Sequence, residues 1–193
     1  MHRDLKPSNV MLCTVARRHD FVKVLDFGLA KSVAPAARVD VSQLTVEGVA
    51  AGTPGYIAPE VALGEAAVDA RADLYALGCV AYVLLTGTLV FPDPNPLSMT
   101  LKHVQAAPDP PSLRTELPIP PDLERIILQC LEKNPADRPA SARDLDERLG
   151  HSLASGWTER DAQDWWELHL PQSSSLRSFA QAAPRTPPVV QKV

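Results

Sequence analysis

The chain has 193 residues, 45% of them hydrophobic and 22% charged, which suits one domain with a real core and excludes a disordered protein. A net charge of −4 gives no basic surface of the kind that nucleic acid or an anionic membrane selects, so both are set aside as partners. Three cysteines, Cys13, Cys79 and Cys130, are odd in number, far apart and set in apolar runs, which points to reduced core thiols and a cytosolic compartment, and no secretory signal opens the chain.

Residues 2 to 9 read HRDLKPSN. Val10 to Cys13 and Phe21 to Leu25 are β-prone runs joined by the polar stretch Thr14 to Asp20, a hairpin signal. Residues 26 to 28 then read DFG. Antiparallel pairing sets the start of the first strand beside the end of the second, so Asn9 and Asp26 become neighbours across 17 positions. One Asp and one Asn offer oxygens to a hard cation such as Mg²⁺ and leave room for water and phosphate.

From Leu29 to Thr53 runs a long connection rich in Ala, Val, Ser and Thr, and GTPGYIAPE follows at 52 to 60. A loop of that length between fixed motifs is usually functional. Leu74 to Phe91 carries no charge over 18 residues, yet it is no membrane span. Its helical part is Leu74 to Leu85, stopped at Gly87, and a helix apolar on all sides is a buried central one. Further helices are predicted over Leu97 to Gln105, over the periodic set Leu123, Ile126, Ile127, Cys130 and Leu131, and from a capping-box-like Ser141 and Asp144 to Leu149. Thr158 and Asp161 cap a last helix bearing Trp165, Trp166 and Leu168, which either docks on the domain or offers a partner surface. From Pro171 the tail is Pro, Ser, Ala and Gln with no acidic residue, a composition that predicts disorder.

HRDLKPSN, DFG and GTPGYIAPE stand in the order and spacing of the protein kinases, and residues 1 to 150 resemble the C-terminal, large lobe of a eukaryotic-type serine/threonine kinase of the bacterial kind. The implied fold is mainly α, a helical large lobe with a short β-hairpin at the catalytic and metal site. The extension 151 to 170 and the tail 171 to 193 follow it. The resemblance implies transfer of the ATP γ-phosphate to Ser or Thr hydroxyls of protein substrates. Asp4 would orient and deprotonate the hydroxyl, Lys6 would neutralise the transferring phosphoryl, and Asn9 and Asp26 would hold Mg²⁺ for ATP. His2 would pack and hydrogen-bond the loop. Leu29 to Thr53 would be the activation segment, with Ser32, Ser42, Thr45 and Thr53 as hydroxyls. Thr45 is the leading phosphosite, Arg3 would read its phosphate, and Thr53 would line the substrate cleft. Glu60 and Arg138 would form a buried pair, and Asp73 would fix the catalytic-loop backbone.

The family's small lobe, with its Gly-rich strands, lysine and partner glutamate, has no counterpart in these residues. The chain alone is therefore expected to be inactive, and either Met1 reads as an internal methionine taken as a start or the chain reads as a fragment. The alternatives are a non-catalytic binding module using the Trp helix, and a large lobe complemented by a small-lobe partner on another polypeptide.

Overall fold

Val10–Val15 (β1) and Arg18–Val24 (β2) pair as a two-stranded ribbon in the computed structural model, which describes residues 1–16, 18–26, 53–152 and 156–170. Ser32, Ser42, Thr45, Gly28 and the tail from Pro171 lie outside the described residues. The connection is tighter than the predicted Thr14–Asp20 turn. Thr14 and Val15 extend β1, and Arg18, His19 and Asp20 open β2. Polar residues do not break a ribbon that has water beside it, and β-branched Thr14 and Val15 favour the strand.

The rest is helical: Pro59–Ala62 (α1), Arg71–Thr86 (α2), Pro96–Gln105 (α3), Pro121–Cys130 (α4), Ala142–Ser152 (α5) and Glu159–His169 (α6). Pro at or next to the first position opens α1, α3 and α4, where its missing N–H costs nothing. Asn95 caps α3, its Oδ1 accepting the N–H groups of Leu97 and Ser98 at 2.9 and 3.2 Å. Gly87 ends α2 at φ 70, where a Cβ would be strained, and its N–H reaches the Val83 carbonyl at 2.8 Å. The Ser141–Asp144 start of α5 is half a capping box. Asp144 N–H donates to Ser141 Oγ at 3.1 Å, but the Asp144 carboxylate accepts from Ala140 N–H at 2.9 Å rather than from Ser141.

The core is built on α2. Tyr75, Cys79 and Tyr82 pack with Ala58, Val90, Phe91, Ile127 and Leu131, while Leu74 joins Ile126, Cys130 and Leu145. The predicted periodic face of α4 is therefore the one that is buried. Helix α2 departs from the expectation of burial on all sides: Leu77 is 38% and Leu84 75% exposed, seven residues apart on one stripe that no described element covers. Cys13 also departs, lying half-buried on β1 rather than in a core, with its Sγ toward the Phe21 carbonyl. No described helix is long and apolar enough to cross a membrane.

Two compact units emerge. One comprises Met1–Met11 with the described residues of 22–152; the other comprises Leu12–Phe21 with 156–170. In the second, both partners of the predicted Thr158–Asp161 capping box are in place at the start of α6. Trp166 is 9% exposed and its ring lies 6.4 Å from that of His19, so the helix docks on the ribbon. Trp165 and Leu168 stay exposed, Trp165 stacking on His169.

Candidate active site

The segment His2 to Asn9 has no regular structure until a 3₁₀ turn at Pro7–Asn9, so its shape is imposed by tertiary bonds. Asp73, near the start of α2, supplies them. Its Oδ2 accepts the His2 N–H at 2.6 Å and its Oδ1 the Arg3 N–H at 2.8 Å. These bonds hold Arg3 at φ 71, a left-handed conformation unusual for a side chain of this size. His2 is buried, its Nδ1 accepting the Asp4 N–H at 3.3 Å. With Nδ1 an acceptor, the proton resides on Nε2, which donates to the Leu25 carbonyl at 2.8 Å. His2 thus ties the loop to the end of β2.

The left-handed step at Arg3 precedes Asp4. The Thr53 hydroxyl donates to its Oδ1 at 3.0 Å, and Lys6 Nζ stands 3.0 Å from its Oδ2. Lys6 also donates to Thr53 Oγ1 at 3.2 Å, closing a triangle of carboxylate, ammonium and hydroxyl. Sequence placed Thr53 at the cleft; only the fold put its hydroxyl on Asp4. Buried Asn9 donates through Nδ2 to the Asp4 carbonyl at 2.8 Å and reaches Oδ2 at 3.4 Å, which leaves its Oδ1 as the atom for a cation. The Asn9 carbonyl accepts the Leu25 N–H at 2.8 Å, so the exposed Asp26, at φ 53, directly follows the residue paired with Asn9.

This donor set fits a divalent cation held by few protein atoms. Among the described residues no cluster of three or more His, Cys, Asp or Glu forms a cage, so one carboxylate and one amide oxygen would leave most positions to phosphate and water, as Mg²⁺ prefers. A separate cleft, lined by Asp122, Arg125, Asp144 and Arg148 of α4 and α5, shares no residue with this cluster, and its charges are largely paired with one another.

Support comes from below. Arg138 meets Glu60 through two bonds, and also donates to the carbonyls of Arg71, Glu132 and Lys133. Its guanidinium lies 4.9 Å from the Tyr75 ring centroid. Buried Tyr75 in turn bonds His103 Nδ1 at 2.8 Å, and Lys133 Nζ lies 4.7 Å from the Phe91 ring centroid. Burial pushes His103 down to about 3 and Lys133 down to about 8. Neither had been singled out from the sequence, where a lone His or Lys on a helix carries no signal.

A family model described as a protein kinase domain matches residues 1–151, which is most of the chain. The chain belongs to the protein kinase domain family. Among curated relatives, serine/threonine-protein kinase pkn3 of Myxococcus xanthus is 47% identical over 143 residues, covering 74% of this chain and 26% of that protein. Serine/threonine-protein kinase PknB of Mycobacterium leprae is 41% identical over 145 residues, 75% of this chain and 22% of that one. Pkn1 of Myxococcus xanthus is 45% identical over 154 residues, 80% and 21% of the two. The chain thus spans about a quarter of the length of these kinases or less. Use of ATP and a divalent metal goes with the family.

Proposed function

We propose that residues 1–150 are the C-terminal, large-lobe part of a serine/threonine protein kinase that transfers the ATP γ-phosphate to Ser or Thr hydroxyls of protein substrates, with 151–170 a helical extension and 171–193 a tail. The observation that carries this reading is the Asp4 carboxylate accepting a hydroxyl, that of Thr53, at 3.0 Å beside the Lys6 ammonium at 3.0 Å. A substrate hydroxyl presented to the same carboxylate is oriented and gives up its proton there, while Lys6 offsets negative charge nearby. Asn9 and Asp26 would hold Mg²⁺, which when bound with ATP neutralises the phosphates. The Asp73 bonds to the backbone of His2 and Arg3 keep Asp4 aimed without touching substrate.

Thr45 and Ser42 are the proposed phosphosites, with Arg3 as reader of the phosphate. Thr53, already engaged with Asp4 and Lys6, is better suited to the cleft wall than to modification. Free cysteines at 13, 79 and 130 suit the cytosol. The test joins this chain to the small lobe of a relative and measures label transfer from γ-labelled ATP to Ser, Thr and Tyr peptides, with the isolated chain as control. Transfer to Ser or Thr that falls about 10²–10⁴-fold in Asp4→Asn supports the reading. Transfer that Asp4→Asn leaves intact, or that favours Tyr, sinks it.

A further inference from the structure

We propose that helix α6 is a brace for the β1–β2 ribbon, seated on Asp20, and that Asp20 is thereby a positioning residue for the Asn9–Asp26 oxygen pair. A lone two-stranded ribbon is marginal in water. This one exposes Met11, Leu12, Val15, Phe21, Val22 and Val24, so little side-chain packing holds it. Yet its two ends carry the atoms that must stay in register: Asn9 immediately precedes β1, and Asp26 lies two residues after β2.

The holding force comes from two indoles. Trp166 Nε1 donates to Asp20 Oδ1 and Trp157 Nε1 to Oδ2, each at 2.7 Å, across 146 and 137 residues of chain. One carboxylate with both oxygens taken by N–H donors forms charge-assisted bonds, stronger than neutral ones. They hold the Asp20 carboxyl below its ordinary range, Trp166 contributing most and Trp157 next. Trp157 adjoins the Thr158–Asp161 capping box that fixes the helix start, Trp166 follows two turns into the helix, and Ala162 and Trp166 form its buried face. These residues lie beyond the kinase-domain match, which ends at 151, so the brace is an addition to that domain. Because β2 runs on from Asp20 to Val24 and the next residue, Leu25, pairs its N–H with the Asn9 carbonyl at 2.8 Å, order at the tip opposes fraying toward the site.

The brace itself is independent of the kinase reading; its bearing on a metal rests on the magnesium role proposed for Asn9 and Asp26. Amide hydrogen exchange of the full chain tests it, comparing wild type with Asp20→Ala and with Trp157→Phe/Trp166→Phe, which keeps an aromatic ring at each position and deletes both donors. Exchange across residues 10–25 is expected to speed up about tenfold or more in both variants while α2 is unchanged. Combining the changes should add nothing, since they remove one interaction. Unchanged protection of the ribbon in either folded variant overturns the proposal; if Asp20→Ala does not fold, the Phe pair decides. Mn²⁺ affinity by electron paramagnetic resonance, expected to weaken several-fold, separates the two claims. A loosened ribbon with unchanged Mn²⁺ binding keeps the brace and overturns Asp20 as a positioning residue, whereas Mn²⁺ binding that Asn9→Ala/Asp26→Ala leaves intact overturns the metal role of that pair.

Discussion

Glu60 and Arg138, 78 residues apart in sequence, face each other through two N–H···O bonds of 2.7 and 2.8 Å, with side chains 4% and 0% exposed. The guanidinium fork matches the carboxylate, and its remaining donors are taken by backbone carbonyls, so no N–H of the buried guanidinium is left without an acceptor. Arg138→Ala leaves a carboxylate buried without its cation. Urea denaturation should show a loss of about 3–5 kcal/mol, and Glu60→Ala a similar one.

Asp73 accepts two backbone N–H groups that no neutral side chain of its shape can accept together. In Asp73→Asn one oxygen becomes an NH₂ that confronts either His2 N–H or Arg3 N–H. The expected cost is about 1–3 kcal/mol in denaturant unfolding, and release of Arg3 from φ 71 should appear as faster exchange of the Arg3 and Asp4 amides.

The pH dependence of stability should carry a His103 signature. Burial moves it from an ordinary 6.5 to about 3, so between those limits the unfolded chain binds a proton that the folded chain refuses. Stability is therefore expected to fall as pH drops below about 6.5, by up to about 1.4 kcal/mol per pH unit for one group. His103→Gln keeps an acceptor for the Tyr75 hydroxyl and removes the titration. Its unfolding free energy should be flatter between about pH 6 and 4.5, above the range where most carboxylates titrate.

Gly78 lies where α2 packs tightly on the end of α4. A Cβ there would sit 2.7 Å from Cys130 Cβ, and both atoms are bonded directly to a helix Cα, so neither can swing aside by a side-chain rotation. Gly78→Ala should destabilise by about 1–3 kcal/mol despite its better helix propensity, and Gly78→Ala/Cys130→Gly should recover part of that loss.

The sequence by itself determined the family and the local elements. HRDLKPSN, DFG and GTPGYIAPE pointed to the protein kinase domain because their order is read along the chain. The α4 periodicity and the Thr158–Asp161 cap marked their helices because those signals act within four residues. What it could not supply was partner identity at long range. Thr14 to Asp20 looked like a turn by polarity, yet the stretch is mostly strand, because exposure on a ribbon tolerates polar residues. Leu77 and Leu84 looked like core, since composition does not say which face of a helix is covered. Asp20 carried no signal until Trp157 and Trp166 arrived from more than 130 residues away. The closure of Asp4, Lys6 and Thr53, and the pinning of His2 and Arg3 by Asp73, were likewise decided only by tertiary structure, for a hydrogen bond depends on where two atoms meet and not on how far apart their residues are numbered.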